Sequence, residues 1–109
     1  MTPERFESLQ EEFVAHEARI LNWKRGEYAS DDEDRLQNFR QVAEFAGMKM
    51  SEVALIWLMK HIQSITLAVR YGKYSWTWTT EGGEGLKQRI ADARNYLLLL
   101  AACLEEENK

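Results

Sequence analysis

Ser51-Glu52-Val53-Ala54-Leu55-Ile56-Trp57-Leu58-Met59-Lys60-His61 is the stretch whose reading decides the fold. Val53 to Met59 is apolar without a break, and neither Gly nor Pro occurs between Gly47 and Gly72. A run bounded so widely by breakers suits a long helix, here from Ser51 to about Arg70. Its apolar residues point in every direction around a helical axis. It should therefore be the central helix, touched from more than one side.

Working outward, the other breakers leave equally long segments: Pro3 is the only proline, and the remaining glycines are Gly26, Gly82, Gly83 and Gly85. The first segment opens with Thr2 as N-cap and Pro3 at the first helical position, and closes on Lys24-Arg25-Gly26. Phe6, Leu9, Phe13, Ile20 and Trp23 recur along it at helical spacing, with His16 on the same stripe as an interface histidine. The second helix has a capping box of Ser30 and Glu33 and an inner face of Leu36, Phe39, Ala43 and Ala46, and stops at Gly47. From Tyr71 to Gly85 the periodicity changes. Tyr74, Trp76 and Trp78 alternate with Ser75, Thr77 and Thr79, the pattern of a loop with weak strand character, serving core closure or self-association. The last helix is expected from Leu86 to Glu106, with Leu86, Ile90, Ala93, Leu97, Leu100, Ala101 and Leu104 as its buried stripe. The expected fold is all-α, a compact bundle of four main helices with an aromatic loop between the third and fourth, forming one domain over residues 1–109.

Composition narrows the function classes. The chain has 109 residues, with 18 Asp plus Glu against 14 Lys plus Arg, for a formal charge of −4. Broad nucleic-acid or anionic-membrane binding rests on dense positive charge, which this balance does not supply. Cys103 is the sole cysteine, so no disulfide or paired-cysteine metal site forms within one chain, and its alanine and leucine neighbours mark it as a buried hydrophobe. No serine or cysteine stands beside a recognisable base. No glycine-rich phosphate loop ends in Lys-Ser or Lys-Thr. The start lacks a signal-peptide pattern, and the contiguous apolar runs fall short of the ~20 residues that cross a bilayer, so a soluble cytoplasmic protein is expected.

Chemistry is expected where polar residues interrupt buried helices. Lys60, His61 and Ser64 follow the apolar run, and Lys60 and Ser64 share a face. Arg89, Asp92, Asn95 and Tyr96 line up at spacings of three and four on the last helix. Asp92 is the natural partner for Lys60 or His61, since an unpaired charge in such a place is costly. Arg35 and Asn38, three apart, are expected to turn toward the same region. Two readings fit this cluster. One is a structural ion pair; the other is a pocket for a phosphate-bearing ligand, with Lys60 as a point charge and Asn95 reading a base edge.

The ordered series Lys24-Arg25-Gly26-Glu27-Tyr28-Ala29-Ser30, Asp34-Arg35-Leu36 with Asn38-Phe39, Lys60-His61 with Ser64, then Lys87, Asp92 and Asn95-Tyr96-Leu97 resembles small helical proteins of phages and prophages. They form the group called the nucleotide modification associated domain. The resemblance spans roughly residues 20 to 104. That group is similar in layout to the all-α nucleoside triphosphate pyrophosphohydrolases of the MazG type, which hold Mg²⁺ with paired glutamates. Here no Glu-Glu-x-x-Glu stands on the second or third helix, and Arg89 occupies the place of a glutamate three before Asp92.

The resemblance implies a phage-type accessory protein, a nucleotide-like small molecule as ligand and a homo-oligomer. The expected ligand-binding residues are Arg35, Asn38, Lys60, His61, Asp92 and Asn95. Mg²⁺ enters only if the protein is an enzyme, with Asp92 the single candidate ligand and no catalytic residue assigned. The alternatives are a metal-dependent pyrophosphohydrolase and a non-enzymatic module that binds a host or phage protein.

Overall fold

The computed structural model describes residues 1–23 and 34–109. Four helices carry the architecture: α1 (Pro3–Trp23), α2 (Gln37–Ala46), α3 (Met50–Tyr71) and α4 (Leu86–Glu107). A minimal antiparallel ribbon, β1 (Thr79–Thr80) and β2 (Gly83–Glu84), sits between α3 and α4. The fold is therefore all-α, as the punctuation by glycines predicts.

Local chemistry accounts for most helix ends. The Thr2 hydroxyl accepts the Arg5 N–H at 3.1 Å, capping α1. The predicted end of the first helix at Lys24 to Gly26 and the capping box of Ser30 and Glu33 lie outside the described residues. Within them α2 begins at Gln37, later than expected, and Asp34 ties its start: Oδ1 accepts the Leu36 N–H at 3.0 Å and Oδ2 the Arg40 Nε–H at 3.1 Å. Gly47 and Gly72 end α2 and α3 in the left-handed region, at φ 68° and 66°, where a side chain would be strained. At the start of α3, Glu52 accepts the Lys49 N–H, and Glu107 reaches across from the last turn of α4 to accept the Ser51 N–H, each at 3.0 Å.

Packing is built on the antiparallel pair α3 and α4. Ser51 meets Glu107, Trp57 and His61 meet Tyr96, and Ser64 meets Arg89, so positions rise on one helix as they fall on the other. α2 covers one side of this pair. Leu36, Phe39 and Ala43 join Met50, Val53 and Ala54 of α3 and Leu99 and Cys103 of α4 in the main core. α1 packs chiefly on α4, through a second cluster of Phe13, Ile20 and Ala91, while its Leu21 also meets the main core.

α3 is touched by both α2 and α4, as expected of the central helix, yet it is not enclosed: Leu55, Ile56, Met59, Ile62, Leu67 and Val69 are exposed, because the two neighbours leave its far side uncovered. By length and composition α3 is also apolar enough to cross a membrane, with 22% of its most apolar window buried. This exceeds what contiguous apolar runs suggested, since Ile62, Ile65, Leu67, Ala68 and Val69 continue past Lys60 and His61. The expected inner stripe of α4 is likewise misplaced. Leu86 and Ala93 are buried and Ile90 and Leu100 half-buried, but Leu97, Ala101 and Leu104 face out. Gln88, Ala91, Asp92, Asn95, Leu99 and Cys103 face in instead. The inner face includes polar groups because α1 brings polar partners to meet them.

The aromatic loop divides as well. Trp78 closes the second cluster, stacked on His16 at 3.7 Å between ring centroids and donating from Nε1 to Glu12 at 3.0 Å. Tyr74 and Trp76 remain about half exposed. The loop is clamped to the start of α4 by backbone bonds from Gly85 N to Trp78 O and from Leu86 N to Ser75 O. A side chain at Gly85 would overlap the Thr77 carbonyl, whereas one at Gly82 would meet open space. Gly85→Ala is therefore expected to lower stability by about 1–3 kcal/mol, read as a fall in melting temperature by circular dichroism, while Gly82→Ala leaves it nearly unchanged.

Candidate functional site

The inward face of α4 is the most unusual feature of the molecule. Asp92 is 2% exposed and Asn95 3%, on a helix whose Leu97 is 51% exposed. Gln88, Asp92 and Asn95 follow one another at spacings of four and three, so one face carries all three inward. A buried carboxylate needs hydrogen-bond donors, and a chain of them leads to Asp92. Arg19 Nη2 lies 3.1 Å from His16 Nδ1, His16 Nε2 lies 3.0 Å from Gln88 Oε1, and Gln88 Nε2 donates to Asp92 Oδ1 at 3.2 Å. Guanidinium only donates, so Nδ1 of His16 accepts and the ring proton sits on Nε2. Every donor in the series then points toward Asp92. The ladder runs from a surface guanidinium to a buried carboxyl group.

Asn95 serves a different neighbour. Its Nδ2 donates to the Glu17 carbonyl at 3.1 Å, fastening α4 to α1. Glu17 itself meets the Arg94 guanidinium as an ion pair without hydrogen-bond alignment, and burial raises its carboxyl above the usual range while Arg94 opposes the rise.

On the α3 side, aromatic rings form a row. Phe39 packs on Trp57 at 4.9 Å, Trp57 meets Tyr96 edge-on at 6.4 Å, and Tyr96 lies 4.8 Å from the His61 ring. Tyr96 lies one turn beyond Asp92 on α4, and it is Tyr96 that meets His61. Asn38, half-buried, precedes Phe39 at the end of that row.

The six residues expected at the site thus separate. His61 meets Tyr96 where α3 and α4 pack, Asp92 is buried one turn earlier on α4 beside Gln88, Asn38 is half-buried on α2, and Lys60 precedes His61 on α3. Lys60 is exposed, so the expected pairing of Asp92 with Lys60 gives way to Gln88, a closer donor on Asp92's own helix. Arg35 departs from the group: it lines a cleft of about 400 Å³ with Asp34, Leu98, Ala102 and Glu105. Asn95 is directed to α1. Gln88, Trp57 and Tyr96 were not singled out for these roles, although the spacing of Gln88 from Asp92 and Asn95 was a usable signal. Arg89 donates to Ser64 at 3.3 Å and, with Lys73 and Tyr71, lines a further cleft of about 540 Å³.

Among the described residues no three His, Cys, Asp or Glu side chains converge as metal ligands. Mg²⁺ favours several oxygen ligands, so these residues do not fit a Mg²⁺ site built by protein carboxylates. Cys103 is fully buried and its thiol is pushed up to about 11, chiefly by burial, which removes it as a nucleophile.

No known protein family, curated protein or solved structure matches the chain.

Two measurements probe this network. Asn95→Ala removes the second bond of the Glu17 carbonyl, which keeps its helical one, and is expected to cost about 1 kcal/mol in denaturant unfolding. Acid should also destabilise the fold. Glu12, Asp34 and Glu107 are held below ordinary values, foremost by hydrogen bonds from Lys87, Arg40 and the Ser51 backbone respectively. Each such carboxylate stabilises the fold above its unfolded pKa and loses that contribution as pH falls through the folded one. Glu17, shifted upward, has the opposite sign and favours the fold at low pH. Among the described residues three such groups stand against one, so the melting temperature is expected to fall between about pH 6 and about pH 3.

Proposed function

We propose that the chain binds a small phosphate-bearing ligand of nucleotide type at the seam between α3 and α4. Asn38, Lys60, His61 and Asp92 supply its polar contacts. One observation carries this reading: α4 buries Gln88, Asp92 and Asn95 while leaving leucines in water. Stability alone favours the reverse, since buried leucine contributes about 1.5–3 kcal/mol and a buried carboxylate costs several unless fully bonded. A polar face kept inside at that cost serves recognition.

The neighbouring groups suit such a ligand. The aromatic edges of Trp57, Tyr96 and His61 offer stacking surface for a base, Lys60 a cation for phosphate, and Asn38 a paired donor and acceptor. Asp92, oriented by Gln88, accepts from sugar or base. The resemblance over residues 20 to 104 points the same way, to a phage-type accessory protein working in the cytoplasm. A pyrophosphohydrolase is the weaker form, because among the described residues no carboxylates converge as the ligands that Mg²⁺ favours.

Calorimetric titration with a panel of deoxynucleoside mono- and triphosphates tests the reading. Saturable heat with at least one ligand is expected, and Lys60→Ala should weaken it about tenfold, or ~1.4 kcal/mol, without lowering the melting temperature. Flat heats for every ligand, with and without Mg²⁺, overturn it.

A further inference from the structure

Of the lysines and arginines among the described residues, only Lys87 and Arg89 are drawn half into the protein. Both stand in the first turn of α4, where the positive end of the helix opposes a cation and no acidic residue of that turn offsets it. Lys87 is neutralised by Glu12 at 2.8 Å. Arg89 is not: among the described residues its guanidinium has one partner, the neutral Ser64 hydroxyl, reached by Nη1 at 3.3 Å. Asp92, three residues further on, takes its bond from Gln88. A half-buried cation without a counter-ion is costly, and this chain has 18 Asp plus Glu from which to supply one.

Arg89 borders the cleft of about 540 Å³ between the last turns of α3 and the start of α4. Ser64, Leu67, Ala68 and Tyr71 line it from α3 and Lys73 from the loop beyond, and no carboxylate lines it. Lys73 is exposed and, like Arg89, forms no ion pair among the described residues. The volume falls within the ~300–1,000 Å³ typical of small-molecule clefts, so the space takes an organic body as well as a charged group. Leu67, Ala68 and the Tyr71 ring offer that body apolar contact. With Nη1 on Ser64, the Nε and Nη2 edge of Arg89 is left, the edge that grips a planar carboxylate through two parallel bonds. Phosphate suits the cleft less well. Ala68 and Tyr71 belong to the last turn of α3, whose negative end opposes a doubly charged group, and neither a second arginine nor a glycine-rich loop lines the wall.

We infer that this cleft binds a small organic monocarboxylate with an apolar or aromatic body. The carboxylate is the missing counter-ion of Arg89, Lys73 adds a second positive charge, and Ser64 holds the guanidinium in place. The body lies along Leu67, Ala68 and Tyr71. The inference stands apart from nucleotide binding at the seam, where neither Arg89 nor Lys73 is assigned a role.

Amide correlation spectra of the full chain test it, in titrations with phenylacetate, isocaproate, the neutral isostere phenylacetamide and inorganic phosphate, each to about 10 mM. At least one of the two acids is expected to give saturable shifts centred on Leu67, Ala68, Tyr71, Lys73 and Arg89, with phenylacetamide about tenfold weaker or more. Arg89→Gln should weaken the acid about tenfold, and Lys73→Gln, at an exposed position, about threefold with the melting temperature unchanged. Absence of saturable shifts with both acids overturns the inference, as does phenylacetamide binding as tightly as phenylacetate, or phosphate binding at these residues more tightly than either acid. A folded Arg89→Gln variant that keeps wild-type affinity overturns it as well. Should Arg89→Gln unfold, Lys73→Gln and the comparison of acid with amide decide the matter alone.

Discussion

A carboxylate taken out of water must be given back the hydrogen bonds it loses, or its burial costs several kcal/mol. Asp92 is held in that position in the middle of α4, and the placement of its neighbours follows from its needs. Gln88 must lie one turn before it, His16 must reach Gln88 from α1, and the His16 ring must keep its proton on Nε2. Arg19 secures that tautomer, and Trp78 stacks on the ring and fixes its plane. The docking of α1 and the closure of the aromatic loop are both tied to this one buried charge.

The same constraint determines which face of α4 turns inward. With Gln88, Asp92 and Asn95 committed to the interior, the rows through Leu97 and Leu104 are forced outward, and α3 presents its own apolar row beside them. The fold therefore separates two tasks by side. Polar contacts and aromatic rings gather where α1 and α2 cover the α3–α4 pair, and apolar side chains gather on the bare side.

Much of the architecture was legible in the sequence because it depends on local chemistry. Thr2 with Pro3, the left-handed Gly47 and Gly72, and the unbroken segments between them specify where helices stop and start with little help from tertiary contacts. The buried thiol of Cys103 was equally readable from its apolar neighbours. Helix orientation was not. In α4 the strongest apolar row is not the inner one, because hydrophobic periodicity registers that a helix has an apolar face but not whether this chain or another covers it. The site suffered for the same reason: Asp92 was paired with Lys60 or His61 across the helices, whereas Gln88 on its own helix donates to it. Arg35 and Asn95 meet other neighbours than expected, because three-residue spacing shows that two side chains share a face, not which neighbour that face meets.

The ties between α1 and the rest of the molecule also bear on how the chain reaches this shape. Trp78 is bonded to a residue 66 positions away and Asn95 to one 78 away, whereas Arg89 and Ser64, joining α3 to α4, are 25 apart. Closing longer loops costs more entropy, though each doubling adds only about 0.6 kcal/mol, so the α3–α4 hairpin assembles ahead of α1. For that interval Asp92 has Gln88 but lacks the His16 end of its ladder, and both sides of the hairpin are open. The contacts of His16 and Glu17 with α4 are therefore the part of this network with the largest closure entropy to overcome.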